Sequence, residues 1–304
     1  MKPWIVLAAF LSAVPASAQV APAPARPVAA APAAAAAPRT ILFVGNSFTQ
    51  GAHSAARNYR ANTVTDLNNA GYGGIPALFR LFAEQAGQIW HVSLQTQGGR
   101  TLGWHLAERR ALMDRPWDVV VLQDHSVLNP QSPGDAATHI RDAGLLAAMF
   151  RRQNPKAQVE LMATWSRADR VWKPGSPWSG APIARMADDL RAASNRARAA
   201  SRDIAGVIPV GQAWNRAFAG GVADPNPYDG IAYGQLDLWA YDHYHASVAG
   251  SYLEALVVFG RITGIDPRTL GPKEKAADDL GLSDDQAVAL QRVAWETLAA
   301  EPKR

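Results

Sequence analysis

Apolar residues along this chain fall into two alternating rhythms. Short unbroken apolar runs at 40–44, 89–94, 118–123, 158–164 and 207–210 suit strands buried on both faces. Between them apolar positions recur every three or four residues, the helical period. Leu78, Phe79, Phe82 and Ala86 mark one such stretch, and Leu102, Leu106 and Met113 a second. Ile140, Ala143, Ala147 and Phe150 mark a third, Ile183, Met186 and Leu190 a fourth, and Leu253, Leu256, Val257 and Gly260 a fifth. A last helix, carrying Val288, Leu290, Val293 and Leu298, opens at Ser283-x-x-Gln286, the pattern of a capping box. Five strands alternating with helices predict a single doubly wound, flavodoxin-like α/β domain: a five-stranded parallel sheet with helices on both faces. In such a sheet ligands gather beyond the carboxyl ends of the strands. Chemistry is therefore expected in the turns that follow them.

The first forty residues break this rhythm. Lys2, an apolar run over 4–11 and the small-x-small triplet Ala16-Ser17-Ala18 predict a signal peptide ending at Ala18. A buried N-terminal helix is the alternative. Residues 19–38 contain 16 Ala or Pro out of 20, a composition that cannot pack a core and predicts a disordered tether. The catalytic domain is then expected over 39–304. The early apolar run is too short to span a bilayer, and no later one is long enough. The expectation is an exported protein, periplasmic or extracellular.

Composition narrows the chemistry. The chain has 304 residues, 48% of them hydrophobic and 18% charged, which excludes disorder over most of its length. Zero cysteines exclude disulfides, thiolate metal sites, iron–sulfur clusters and cysteine nucleophiles. The formal charge is only +4, and the 30 basic residues are scattered rather than clustered, which argues against nucleic acid as a partner. Neither glycine-rich phosphate fingerprint is present, so no cofactor is expected.

Polar residues sit at four predicted strand or loop ends. After the first strand, Gly45-Asn46-Ser47-Phe48-Thr49 offers a hydroxyl on a glycine-permitted turn, where a nucleophilic Ser47 and its backbone N–H could act together, although Gly-Asn-Ser is also ordinary turn chemistry. After the second, Gly98-Gly99 leaves backbone N–H groups open to close approach, or simply turns the chain into a helix. The third ends in Gln123-Asp124-His125-Ser126, where the Gln123 amide could face an oxyanion or cap the next loop. Finally, Asp242-His243-Tyr244-His245 precedes a helix, and a carboxylate three residues from a histidine can orient its imidazole as a base for serine. Asp242, His243 and His245, completed by Asp124 and His125, could instead hold a metal. The usual zinc-protease spacing is absent, and no metal is expected.

Taken in order, these blocks resemble the SGNH (GDSL-like) hydrolases. Ile41 to Thr49, Gly98-Gly99-x-Thr101-Leu102 with His105, Val120-Val-Leu-Gln123, and Asp242-x-x-His245-x-Ser247-x-x-Gly250-x-Tyr252-Leu253 look like a secreted bacterial branch with a Gly-Asn-Ser first block. The resemblance implies Ser47 as nucleophile, His245 as general base and acid, and Asp242 as its orienter. It implies an oxyanion hole from the Ser47 and Gly99 N–H groups and the Gln123 side chain, with Gly98 as the alternative donor. Asn46 stands where that family usually has Asp, and Gln123 where it usually has Asn.

Aromatic residues add a hint of substrate. Trp165, Trp172 and Trp178 follow the fourth strand, and Tyr228, Tyr233, Trp239 and Tyr241 precede Asp242. Rings beside a polar site suit a sugar, or else they cover the sheet's own core. With Asn46, His105 and Asp124, Trp165 and Trp239 are expected to contact substrate. The expected function is an exported serine esterase that removes acyl groups, acetyl by family habit, from carbohydrate. A lipid esterase or thioesterase using the same triad, or an idle carbohydrate-binding protein, are the alternatives.

Overall fold

The computed structural model describes Met1, Pro3, Trp4 and residues 38–302; the signal-peptide and tether expectations fall almost wholly outside the described residues. In chain order the elements are β1 (Arg39–Gly45), β2 (Thr65–Asp66), α1 (Gly74–Gln85), β3 (Trp90–Thr96), α2 (Leu102–Glu108), α3 (Arg110–Met113), β4 (Val119–Leu122) and α4 (Ala137–Gln153). They continue as β5 (Gln158–Ala163), α5 (Ala168–Val171), α6 (Ala184–Ala200), β6 (Gly206–Pro209), α7 (Val210–Ala219), α8 (Val248–Thr263), α9 (Lys275–Asp279) and α10 (Asp284–Ala299). The six strands form one sheet in the order β2-β3-β1-β4-β5-β6, every pairing parallel.

Strand periodicity explains the layers. Ile41 and Phe43 point into a core shared with α1, α7, α8 and α10, while Leu42 and Val44 point into the opposite core with α2, α4 and α6. All four side chains are fully buried, as a central parallel strand requires. The predicted capping box is formed: Gln286 N–H donates to Ser283 Oγ at 3.3 Å, and Ser283 N–H to Gln286 Oε1 at 2.9 Å. No helix among the described residues is long and apolar enough to cross a membrane.

The expected five strands are six. The extra one, β2, is two residues long and pairs only at the edge, Thr65 with Ser93 and Asp66 with Leu94. It has no apolar run because neither residue is buried. Asp66 instead caps the next turn, accepting from Asn68 N–H and Ala70 N–H.

The strand order places the site. After β1 the chain pairs on one side with β3, then crosses to pair on the other with β4, so β1 is the switch point of the sheet. Register aligns Gly45 with Thr96 and Val44 with Leu122. The turns after these three strands therefore emerge side by side.

Candidate active site

Ser47 projects from a turn that needs the glycine before it. A Cβ on Gly45 would lie 2.3 Å from Thr49 Oγ1 and 2.7 Å from Gln123 Oε1. Asn46 Oδ1 accepts from Phe48 N–H at 3.2 Å, and Gln50 N–H closes onto Asn46 O at 3.1 Å. Ser47 is half-buried at the crest.

The histidine loop meets this turn from 198 residues away. His245 Nε2 lies 2.9 Å from Ser47 Oγ, and His245 Nδ1 lies 2.6 Å from Asp242 Oδ2. The other carboxylate oxygen, Oδ1, accepts from His245 N–H at 2.9 Å and Tyr244 N–H at 3.0 Å. Burial pushes the Asp242 carboxyl up, but these hydrogen bonds outweigh it and hold the group below the ordinary carboxylate range. Burial also dominates at His245, keeping its imidazole below the usual histidine value despite Asp242. A neutral His245 carries a lone pair for the Ser47 proton. His243 faces elsewhere: it holds φ at +55° and packs on the Tyr228 ring at 4.5 Å.

Gly98 and Gly99 form an exposed turn closed by Arg100 N–H to Gln97 O, with Gly99 at φ +68°. Among the described residues neither the Ser47 N–H nor the Gly99 N–H has an acceptor. Both are donors open to a ligand.

Gln123 is placed differently from expectation. It is fully buried, its Oε1 accepts from Asn46 N–H at 2.9 Å and Thr49 Oγ1 at 3.0 Å, and its Nε2 donates to Asp124 O. Its amide oxygen holds the turn that carries Ser47 from beneath, and its amide nitrogen is engaged at Asp124 O.

The five expected substrate contacts are interior struts. Asn46 Nδ2 donates to Arg100 O at 3.1 Å and Asp124 O at 3.3 Å, tying three strand-end turns together. Asp124 accepts from Leu102 N–H and His125 N–H and pairs with His139 Nδ1 at 2.9 Å. His105 is fully buried against Gln95, and burial pushes it down to about 4, so it is neutral. Trp165 is sandwiched between Phe48, at 4.2 Å and 8° from parallel, and Trp214, at 4.5 Å and 5°. Its Nε1 donates to Tyr244 O at 3.2 Å, so one indole braces the neighbours of both Ser47 and His245. Trp239, also buried, donates to Ser166 O at 3.0 Å. Core covering is what these two rings do. Of the aromatic residues singled out in the sequence, the exposed ones are Trp172, Tyr228, Tyr233 and Tyr241.

Two site residues have no signal in the sequence. His53, at φ +66°, lies with its ring 4.4 Å from that of His245, and its Nδ1 is 2.6 Å from Tyr241 Oη. Arg167 stacks its guanidinium 3.4 Å over Tyr244 while pairing with Asp169. Each depends on a loop conformation that residue type does not reveal. The metal set considered from sequence is not assembled either: the residues that converge are His53, Asp242 and His245, without His243, His125 or Asp124.

No known family model matches the chain, and no curated protein sequence does. Solved structures do. A DUF4886 family protein from Bacteroides uniformis is 17% identical over 86% of this chain and 95% of its own, with a TM-score of 0.58. LAE5, an alpha/beta hydrolase enzyme from the metagenome of Lake Arreo, is 19% identical over 74% of this chain and 95% of its own, at 0.50. A variant of Axe2, an acetyl-xylooligosaccharide esterase from Geobacillus, is 16% identical over 75% of this chain and 94% of its own, at 0.47. What this chain shares with the first two is the fold: a parallel sheet between two helical layers. On that fold it carries a hydrogen-bonded serine, histidine and aspartate at the switch point.

Proposed function

We propose that the protein is an exported serine esterase that hydrolyses acyl esters, acetyl above all, on carbohydrate. The observation that carries the reading is the unbroken hydrogen-bonded relay Ser47–His245–Asp242, with distances of 2.9 and 2.6 Å. Ser47 Oγ attacks the ester carbonyl carbon while His245 Nε2 takes its proton. The carbonyl oxygen becomes an oxyanion facing the Ser47 and Gly99 N–H groups. As the C–O bond to the alcohol breaks, His245 returns the proton to the leaving oxygen, and the acyl group stays on Ser47. Water then attacks with His245 again as base, releasing acid and restoring Ser47. The exposed rings of Trp172, Tyr228, Tyr233 and Tyr241, on segments flanking the histidine loop, support a sugar as the alcohol. The early apolar run and small-x-small triplet support export.

A fluorophosphonate probe is expected to label Ser47, and Ser47→Ala to abolish both labelling and hydrolysis of p-nitrophenyl acetate without changing the fold. Turnover is expected to survive EDTA and to favour short acyl chains. Labelling at another residue, or full activity in the variant, overturns the serine mechanism.

A further inference from the structure

The segment that carries Ser47 also delivers an imidazole that the relay does not use. Ala52 N–H donates to Ser47 O at 3.0 Å, folding the chain back so that His53 returns over the histidine loop. His53 is held at φ +66°, a left-handed conformation that costs a residue with a side chain roughly 1–2 kcal/mol. Its ring is exposed and tilted 37° against the His245 ring. Tyr241 Oη engages its Nδ1 at 2.6 Å, fixing the ring and leaving Nε2 as the second nitrogen. One potential ligand atom from each of His53, Asp242 and His245 lies within 4.8 Å of the other two. Among the described residues no other three metal-ligating side chains come so close.

We propose that His53, Asp242 and His245 form an inhibitory site for a zinc-like transition-metal ion. Two imidazoles and a carboxylate are a donor set suited to Zn²⁺, Cu²⁺ or Ni²⁺, whereas Mg²⁺ and Ca²⁺ require oxygen donors in larger number. With His53 Nδ1–H donating to Tyr241 Oη, Nε2 keeps the lone pair for the ion, which is the outer-shell support that metal-binding histidines ordinarily have. With zinc–nitrogen bonds of about 2.0 Å, ligand atoms of a tetrahedral ion stand about 3.3 Å apart. His53, on an exposed loop, closes the remaining gap, which is at most about 1.5 Å, and water supplies the fourth ligand. A metal here takes the His245 lone pair or the Asp242 oxygen that orients it. Either way the base is lost to Ser47 and turnover stops, so the ion acts as a removable block and not as a cofactor. The arrest rests on the serine-esterase reading; the binding does not.

The test is calorimetric titration of ZnCl₂ into the full chain carrying Ser47→Ala, and into the same chain with His53→Asn added. Asparagine keeps the left-handed backbone, because it tolerates φ > 0 better than most residues. Expected are one micromolar site in the first protein, a loss of more than about tenfold in affinity in the second, and about tenfold weakening by Tyr241→Phe, the usual scale for an outer-shell partner. Mg²⁺ should give no heat. In the active protein, micromolar Zn²⁺ is expected to stop ester hydrolysis and EDTA to restore it. Equal zinc affinity with and without His53, or equal binding of Mg²⁺, overturns the site. If the protein proves to have no esterase activity, the calorimetry still decides whether the metal binds.

Discussion

Helix α8 buries Glu254 completely, and neither carboxyl oxygen has a partner among the described residues. Burial therefore drives its pKa well above the carboxylate range, and the native protein keeps a proton that the unfolded chain releases near pH 4.3. A raised folded-state pKa gives stability that is full below the unfolded value and is lost as pH rises towards the folded one. Each pH unit in that window costs up to about 1.4 kcal/mol. Glu254→Gln removes this titration while keeping the shape. Urea unfolding at pH 4, 5, 6 and 7 is expected to show the variant gaining on the wild type as pH rises, and a constant difference would contradict the buried neutral acid. Gln123 shows what residue type alone conveys. A polar amide at the end of an apolar strand was readable as a residue with a duty, but its direction is set by Asn46 N–H and Thr49 Oγ1, which the fold supplies. The same holds for Trp165 and Trp239, where aromatic character does not say which ring packs and which is exposed.

Among the elements, α8 and the loop before it depend on one close approach. A Cβ on Gly250 would stand 2.2 Å from Leu238 O and 2.7 Å from the Trp214 ring. Leu238 O also accepts from Ser247 N–H, and Ala240 N–H donates to His245 O, so displacing Leu238 moves the loop that presents His245. Gly250→Ala is expected to cost about 1–3 kcal/mol of stability and to lower kcat as well. On α4, by contrast, a Cβ on Gly144 meets only Ser201 Cβ at 3.8 Å, and Gly144→Ala should stabilise by about 0.5–1 kcal/mol. Thermal melts of the pair decide whether contact or helix propensity governs each site. The two histidines of the loop should also separate. His245→Ala removes the base and is expected to eliminate turnover, whereas His243→Ala, on the Tyr228 side, should change it less than about tenfold, or 1.4 kcal/mol of barrier. Continuous apolar runs made the long strands legible. The edge strand β2 was not, because two unburied residues leave no pattern to read.

For the whole molecule, alternating periods foretold layers and parallel pairing, since each strand buried on both faces must be covered twice. Strand order was not legible from pattern. It emerges from which helices cover which face, and it is what brings the turns after β1, β3 and β4 together. Ser47 and His245 meet across 198 residues of chain. Contacts so distant in sequence are late and slow to form, because the intervening chain must be ordered first. On the serine-esterase reading, the turn that carries Ser47 waits for His245 during synthesis, and no turnover is expected before α8 has docked. In refolding experiments, recovery of turnover should accordingly trail the first rise of helical ellipticity, and a chain ending before residue 242 should never become active. On the serine-esterase reading, activity is expected to be timed by topology, because Ser47 gains its base only once residue 245 has been made and docked.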